Sequence, residues 1–502
     1  MNIAQHIQRG QLLFPDKIAL IFEDDYFTYQ QLDQLANRVA NGLRGLGIQK
    51  GDRVALFLPN IPVFVFCYLG IQKIGAVAVS VNVMLKSDEV KFILNDCSAN
   101  TLITTEELSK NVPDWDLSQL EHILIADGRS KKGINLEQLM ASAAPNACAV
   151  EMERDEPAAI VYTSGTTGFP KGATLSHGNI ISNMYSKNRC CGMHSDDRLL
   201  LYLPLFHCFG QNAILNAGLN ACATIVLQRR FEPEKVLETI ANQGITMFFG
   251  VPTVFIKLLN MDTSAYNLKS VRYYFTAAAP MSAEVVQQWQ ERHGCVIHEG
   301  YGLTETSPFA CYNHDLKYKV GSIGAPIENV EMKIINFDGK EVQAGELGEI
   351  IVRGPNVMLG YWNRPIETAQ VLKNGWFHTG DIGMMDEDGY FYLVDRLKDM
   401  INVSGFKVYP AEVENVLYAH PAIAECAVYG APDPVKGEIV KAKILLKAGF
   451  AITQEDIIAF CFEKMASYKI PSAIKFIDSL PKNAMGKVLK RILREEELSV
   501  AS

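Results

Sequence analysis

Among the eleven cysteines there is no CxxC pair, and no Cys/His grouping has metal-ligand spacing. A structural zinc site therefore has nothing to build on. The count is odd, and only Cys190 and Cys191 are adjacent, so free, mostly buried thiols in a reducing cytosol are expected. Long apolar runs are missing too. The most apolar stretch, Ile61 to Ile71, is about half the length a spanning helix needs, and Pro59, Pro62, Gln72 and Lys73 interrupt or flank it. The first residues, MNIAQHIQRG, lack the basic-then-apolar plan of a signal peptide. No integral membrane segment is expected, and the chain is assigned to the cytoplasm, with peripheral contact at a membrane left open. Basic charge is not in excess: the net charge is −9 and the pI about 5.7, which argues against a nucleic-acid partner. No fixed-period repeat and no low-complexity tract occurs.

What is present is a globular balance of 48% apolar and 21% charged residues over 502 positions, enough for several domains. Arg53 to Asn60 reads as a strand and turn, Pro62 to Lys73 as a buried helix, and Gly75 to Asn82 as a second strand, the pattern of a parallel βαβ unit. The same rhythm returns in Ala223 to Leu227, the helix Pro233 to Asn242, and the strand Ile245 to Pro252. After about Gly345 short strands with polar turns take over, and a polar DRLKD breaks the pattern at Asp395 to Lys398. The expected fold is α/β. A large N-terminal domain of βαβ-type sheets with a small β-rich subdomain (1–394) is followed by a break at 395–398 and a small α+β C-terminal domain (399–502).

The sharpest local feature is TSGTTGFPKG, Thr163 to Gly172. Glycines let a backbone approach phosphate closely, hydroxyls and N–H groups donate to its oxygens, and Lys171 adds a mobile charge. A plain polar hairpin loop is the alternative, since Ser, Thr and Gly favour turns. No Ser or Thr follows Lys171, so this is not the G-x-x-x-x-G-K-[ST] loop of ATPases.

TSGTTGFPKG resembles the phosphate-loop signature of the adenylate-forming (ANL) superfamily of acyl-CoA synthetases, aryl-CoA ligases, nonribosomal adenylation domains and firefly-type luciferases. Five further segments resemble family motifs in the family's order and span nearly the whole chain. The resemblance implies that Thr163, Ser164, Gly165, Thr166, Thr167 and Lys171 cradle the phosphates of ATP. In the segment around GYGLTETSP, it implies that Glu299, Gly300 and Tyr301 border the adenine, with Tyr301 stacking on it. Thr304 would bond the α-phosphate, and Glu305 would hold Mg²⁺ as an oxygen ligand shared with phosphate. In GWFHTGD, Asp381 would accept from both ribose hydroxyls. In DRLKDMINVSGFKVYP, Arg396 would support ribose and phosphates, Lys398 would be the hinge, and Ser404 and Gly405 would border the path of the thiol. In PKNAMGKVLKR, Lys487 would be the adenylation lysine. There a carboxylate must attack an anionic phosphate, and a lysine between them neutralises both. GELGEIIVRGPNVMLGYWNRP, Gly345 to Pro365, is family-like and is assigned to scaffolding.

For the acid, PLFHCFG resembles the family's acid-gate segment, which implies pocket positions for Phe206, His207 and Phe209. FTAAAP stands where relatives carry an S-G-A-A-P-like turn. There Ala278 and Ala279 would flank the nucleotide, and Ala277 replaces a common glycine, which should narrow the acid channel. Gly302, Pro308 and Phe309 would line the far side. Ser472 stands where many CoA ligases have arginine, and Asn402 and Ser404 where plant aryl-CoA ligases often have lysine.

The expected activity is therefore a two-step ligation using ATP, Mg²⁺ and coenzyme A. Acyl-adenylate forms from a small carboxylic acid, with a medium- or long-chain fatty acid favoured over an aryl acid. The acyl group then passes to coenzyme A, or to the phosphopantetheine of an acyl carrier protein supplied in trans. No acidic residue stands out in these segments to meet an amino group. A luciferase-like oxygenase and a catalytically silent binding protein are the readings from other classes.

Overall fold

The structure, a computed structural model, describes residues 1–500 apart from 114–116, 118, 129–132, 164–169, 315–316, 448, 484–485 and 487; of Lys398 and residues 498–500 it describes the backbone.

Two large sheets carry the N-terminal part. One has eight strands and is built on the βαβ unit read from the sequence. Arg53–Phe57 lies parallel to Val77–Ser80, joined by the helix Pro62–Lys73. Proline at the helix start fits the first turn, where no N–H bond is lost. Nearly every side chain of that helix is buried, which is why its sequence is apolar on all faces. Its terminal Lys73 is buried too, and reaches Asp33 of the helix Tyr29–Gly45 at 2.7 Å.

The second sheet has nine strands, and five consecutive neighbours position the site: Phe309–Tyr312, Ile297–Gly302, Tyr273–Thr276, Met247–Gly250 and Arg198–Leu201. The strand expected over Ile245 to Pro252 is shorter, Met247–Gly250, because Pro252 instead opens a helix, Pro252–Leu259. Another helix, His177–Cys190, begins in a capping box in which Ser176 and Asn179 satisfy each other's backbone.

A five-stranded sheet follows, with the long strands Gly348–Arg353 and Trp376–Met385 paired antiparallel and Phe391–Arg396 on the outer flank of Trp376–Met385. Past the 3₁₀ turn Leu397–Asp399, a separate core gathers around Ile401, Val428, Ile444 and Ile457. Its sheet centres on the hairpin of Ile423–Asp433 and Gly437–Leu446. The last helix, Lys490–Val500, is tied to the helix Pro410–Tyr418 by Lys490–Glu414 at 2.8 Å and to the turn by Arg494–Asp399 at 3.2 Å. Among the described residues no helix is long and apolar enough to cross a membrane.

Candidate active site

The strands on either side of the phosphate-loop segment pair with each other. Pro157–Thr163 pairs antiparallel with Lys171–Ser176, in a register that sets Thr163 opposite Lys171. Thr163 Oγ1 donates to the Lys171 carbonyl at 3.4 Å. Ser164, Gly165, Thr166 and Thr167 lie outside the described residues. Lys171 Nζ stands 5.3 Å above the ring of Tyr361, whose hydroxyl donates to Glu305 Oε1 at 2.9 Å. Tyr361 therefore connects the loop lysine to the carboxylate read as the Mg²⁺ ligand. Sequence reading placed it in scaffolding, because a tyrosine in a Gly-rich strand segment gives no local sign of what it meets.

Glu305 and Thr304 share a buried 3₁₀ turn, Thr304–Thr306. Burial raises the Glu305 carboxyl above its ordinary range, the state expected of a carboxylate that lacks its counter-charge. One carboxylate shared with substrate phosphates is how Mg²⁺ is commonly held, so Glu305 fits that ion. Bound there, Mg²⁺ would neutralise phosphate charge. Among the described residues no cluster of three or more His, Cys, Asp or Glu offers an all-protein metal cage.

The residues read as the ribose site are more tightly built. Tyr301 donates to Asp381 Oδ2 at 2.6 Å, and Arg396 Nε meets Asp381 Oδ1 at 3.0 Å. Asp381 and Arg396 face each other across paired strands, and Thr379 Oγ1 accepts from the Asp381 N–H at 3.0 Å. The carboxylate is thus buried and oriented, with lone pairs left for ribose hydroxyls. Burial and the neighbouring Asp381 push the Tyr301 hydroxyl well up, so it stays a donor.

Gly302 and Gly300 are needed for space. A Cβ on Gly302 would lie 1.7 Å from the Pro308 carbonyl oxygen, and one on Gly300 would lie 2.4 Å from the Phe275 ring. Glu299 is buried with Oε1 unbonded among the described residues, and burial pushes its carboxyl up to about 8. Ala278 holds a left-handed backbone, φ 74°, and is exposed on the turn beside half-buried Ala279.

On the acid side, His207 Nδ1 accepts from the Phe209 N–H at 3.1 Å, which leaves Nε2 to carry the proton when the ring is neutral. Burial lowers its pKa to about 4, so the ring is neutral near pH 7. Cys208 Sγ lies 3.4 Å from Thr304 Oγ1, which joins this turn to the nucleotide segment. Phe209, Phe275 and Phe309 pack edge to face, with ring centroids 6.2, 6.2 and 5.2 Å apart, and Ala277 is buried next to this wall in sequence. Phe206 is half-buried, and Pro308 follows Ser307 in a cis peptide. Phe275 opens the FTAAAP segment, but nothing in that segment assigned it a role of its own.

Two predicted groups belong to the C-terminal part of the chain. Ser404 and Gly405 form an exposed two-residue turn between Ile401–Val403 and Phe406–Val408, with φ of 52° and 90°. Lys487 is outside the described residues, as is the side chain of Lys398. Gly486, one residue earlier, is described: a Cβ on it would lie 3.1 Å from Thr253 Oγ1 on the helix Pro252–Leu259. The C-terminal loop therefore touches the N-terminal part at the helix that follows one of the site's strands.

Two large α/β sheets, a hydroxyl- and glycine-rich loop, a buried Tyr–Asp–Arg cluster and a small separate C-terminal core are the arrangement expected of an ATP-dependent acid-activating ligase. The chain belongs to the AMP-binding enzyme family: that family matches residues 8–362, and the AMP-binding enzyme C-terminal domain matches 412–487. It is 37% identical to a long-chain-fatty-acid–CoA ligase of Bacillus subtilis, over 96% of this chain and 92% of that protein. It is equally 37% identical to a feruloyl-CoA synthase of Amycolatopsis sp, over 93% of each. Among solved structures, ATP-bound MatB from Rhodopseudomonas palustris superposes with a TM-score of 0.93 at 31% identity over 100% of both chains. Apo MatB, matched over the same extent at 31% identity, gives 0.81. The protein is an AMP-forming acid–thiol ligase: it forms an acyl-adenylate from ATP and a carboxylic acid, then transfers the acyl group to coenzyme A.

Proposed function

We propose that this ligase activates a medium- or long-chain fatty acid, in the cytosol, for coenzyme A. The observation that carries the reading is the apolar cluster of Phe209, Phe275 and Phe309, tied to His207 by the Phe209 N–H, a surface suited to a hydrocarbon tail. Identity with a long-chain-fatty-acid–CoA ligase over nearly the whole chain supports it. Eleven free thiols, most of them buried, support a reducing compartment.

In the adenylation step the chain's own residues orient and neutralise. Thr163, the phosphate loop and Lys171 hold the phosphates. Tyr361 holds Glu305, Thr304 donates to the α-phosphate, and Asp381 and Arg396 hold the ribose, with Tyr301 along the adenine. Neutral His207 borders the substrate carboxylate without adding charge. Lys487 is assigned the place between the attacking carboxylate and the α-phosphate, where it offsets the charge that develops. The contact of Gly486 with Thr253 supports that assignment. So does the greater likeness to ATP-bound than to apo MatB.

After pyrophosphate leaves, the C-terminal domain (399–502) swings about the hinge 395–398. This withdraws Lys487 and brings in the Ser404–Gly405 turn, whose exposure leaves it free to move. Acyl carrier protein in trans is the alternative acceptor, consistent with Ser472. An aryl acid is the second substrate reading, favoured by aromatic walls and the likeness to feruloyl-CoA synthase.

A pyrophosphate-release screen over fatty, aryl and amino acids tests this, with productive acids then offered coenzyme A and holo carrier protein. Release with fatty acids and acyl-CoA formation are expected. Turnover confined to aryl or amino acids overturns the fatty-acid reading.

A further inference from the structure

Phe275 and Phe309 have a second neighbour besides Phe209. Together with Lys187, Cys191, Tyr273 and Tyr312 they line a narrow cavity of about 10 Å³, room for one water molecule. Lys187 is the only cationic residue lining that cavity. It sits on the helix His177–Cys190 with 5% of its surface exposed, and its Nζ has no hydrogen-bonded partner among the described residues. What surrounds it is the Phe249 ring, 4.3 Å away, and the Cys191 thiol. The nearby carboxylate of Asp197 is already taken by Arg272, at 2.6 and 2.9 Å. The contrast with Lys73, equally buried but paired with Asp33 at 2.7 Å, is direct.

A buried ammonium without a counter-ion costs several kcal/mol, and a methionine would fill the same space without that cost. Burial accordingly lowers the Lys187 pKa. An acceptor oxygen entering the cavity would remove the penalty and favour the charged form. The cavity shares two rings with the acid-pocket wall, and those rings touch edge to face with centroids 5.2 Å apart.

We propose that Lys187 selects the far end of the acid, so that the preferred substrate carries a hydrogen-bond-accepting oxygen there: a second carboxylate, a terminal hydroxyl or a phenol. This rests on the ligase reading above and refines its acid from a plain hydrocarbon tail to one that ends in oxygen.

The test measures kcat/KM by pyrophosphate release for matched acids. Unsubstituted, ω-hydroxy and α,ω-dicarboxylic acids of each chain length are compared, and cinnamic acid with its 4-hydroxy derivative, using the full-length enzyme and its Lys187→Met and Lys187→Arg variants. In the unaltered enzyme an oxygen-ended acid is expected to exceed its unsubstituted partner by about tenfold or more. Lys187→Met should collapse that ratio toward one or below, and Lys187→Arg should retain most of it; which class of acid shows the ratio identifies the oxygen. A merely structural lysine would lower both members of each pair in proportion, and that result overturns the proposal. Preference for unsubstituted acids in the unaltered enzyme overturns it while leaving the ligase reading intact. Absence of release with every acid overturns both. Should Lys187→Met not fold, the ratio in the unaltered and Lys187→Arg enzymes still decides.

Discussion

Tyr301 donates its hydroxyl to Asp381 across 2.6 Å, joining the nine-stranded sheet to the five-stranded one at the point assigned to the ribose. With Arg396 on the other oxygen, Asp381 is held from two sides. Removing the phenol should let the carboxylate turn. Tyr301→Phe is expected to raise KM for ATP about tenfold, the equivalent of roughly 1.4 kcal/mol, with a smaller change in kcat. Asp381→Asn should cost more, because it also leaves Arg396 without its counter-ion. ATP-dependent pyrophosphate release at varied ATP reads both.

Lys487→Ala should lower the adenylation rate by about a hundredfold or more, yet leave thiolation of a supplied acyl-adenylate largely intact. Separate assays of the two half-reactions decide it. Equal losses in both would remove the case for a swinging domain.

Gly302→Ala tests packing. The added methyl would sit 1.7 Å from the Pro308 carbonyl oxygen, a backbone atom that cannot step aside. A loss of roughly 2 kcal/mol or more is expected, seen as a lowered Tm. Gly45→Ala is the control: it meets nothing within 4 Å at the end of a helix, and should leave Tm unchanged or raise it.

Acid should destabilise the protein early. Burial lowers His6, His177 and His207 from 6.5 to about 4. Between these values the unfolded chain binds more protons than the folded one, so stability falls as pH drops from about 6.5 to 4. Glu299, raised from 4.5 to about 8, acts oppositely: the folded chain binds its proton more readily, so stability falls as pH rises through that range. Thermal unfolding from pH 4 to 8 should therefore show a decline at the acid end. That decline should steepen above pH 4.5 in Glu299→Gln, which removes the opposing slope.

The βαβ units were legible in the chain itself, because they rest on local rules. Continuous apolar runs mark strands covered on both faces, as in Arg53–Phe57 and Val77–Ser80. Proline marks the helix start at Pro62, and glycine marks close approach at Gly300 and Gly302. The resemblance of TSGTTGFPKG and GYGLTETSP to known motifs then assigned the family. Tyr361 was not legible, since its partner Glu305 is 56 residues away. Nor was Lys187, which sits on an ordinary-looking helix stretch, SKNRC. Only the packed sheets bring Tyr273, Phe275 and Phe309 around that cavity, where Lys187 loses its water without gaining an acid. Residue type and spacing determined which chemistry this chain carries. Which side chains share a buried space depended on long-range packing, because burial and pairing are properties of the assembled fold.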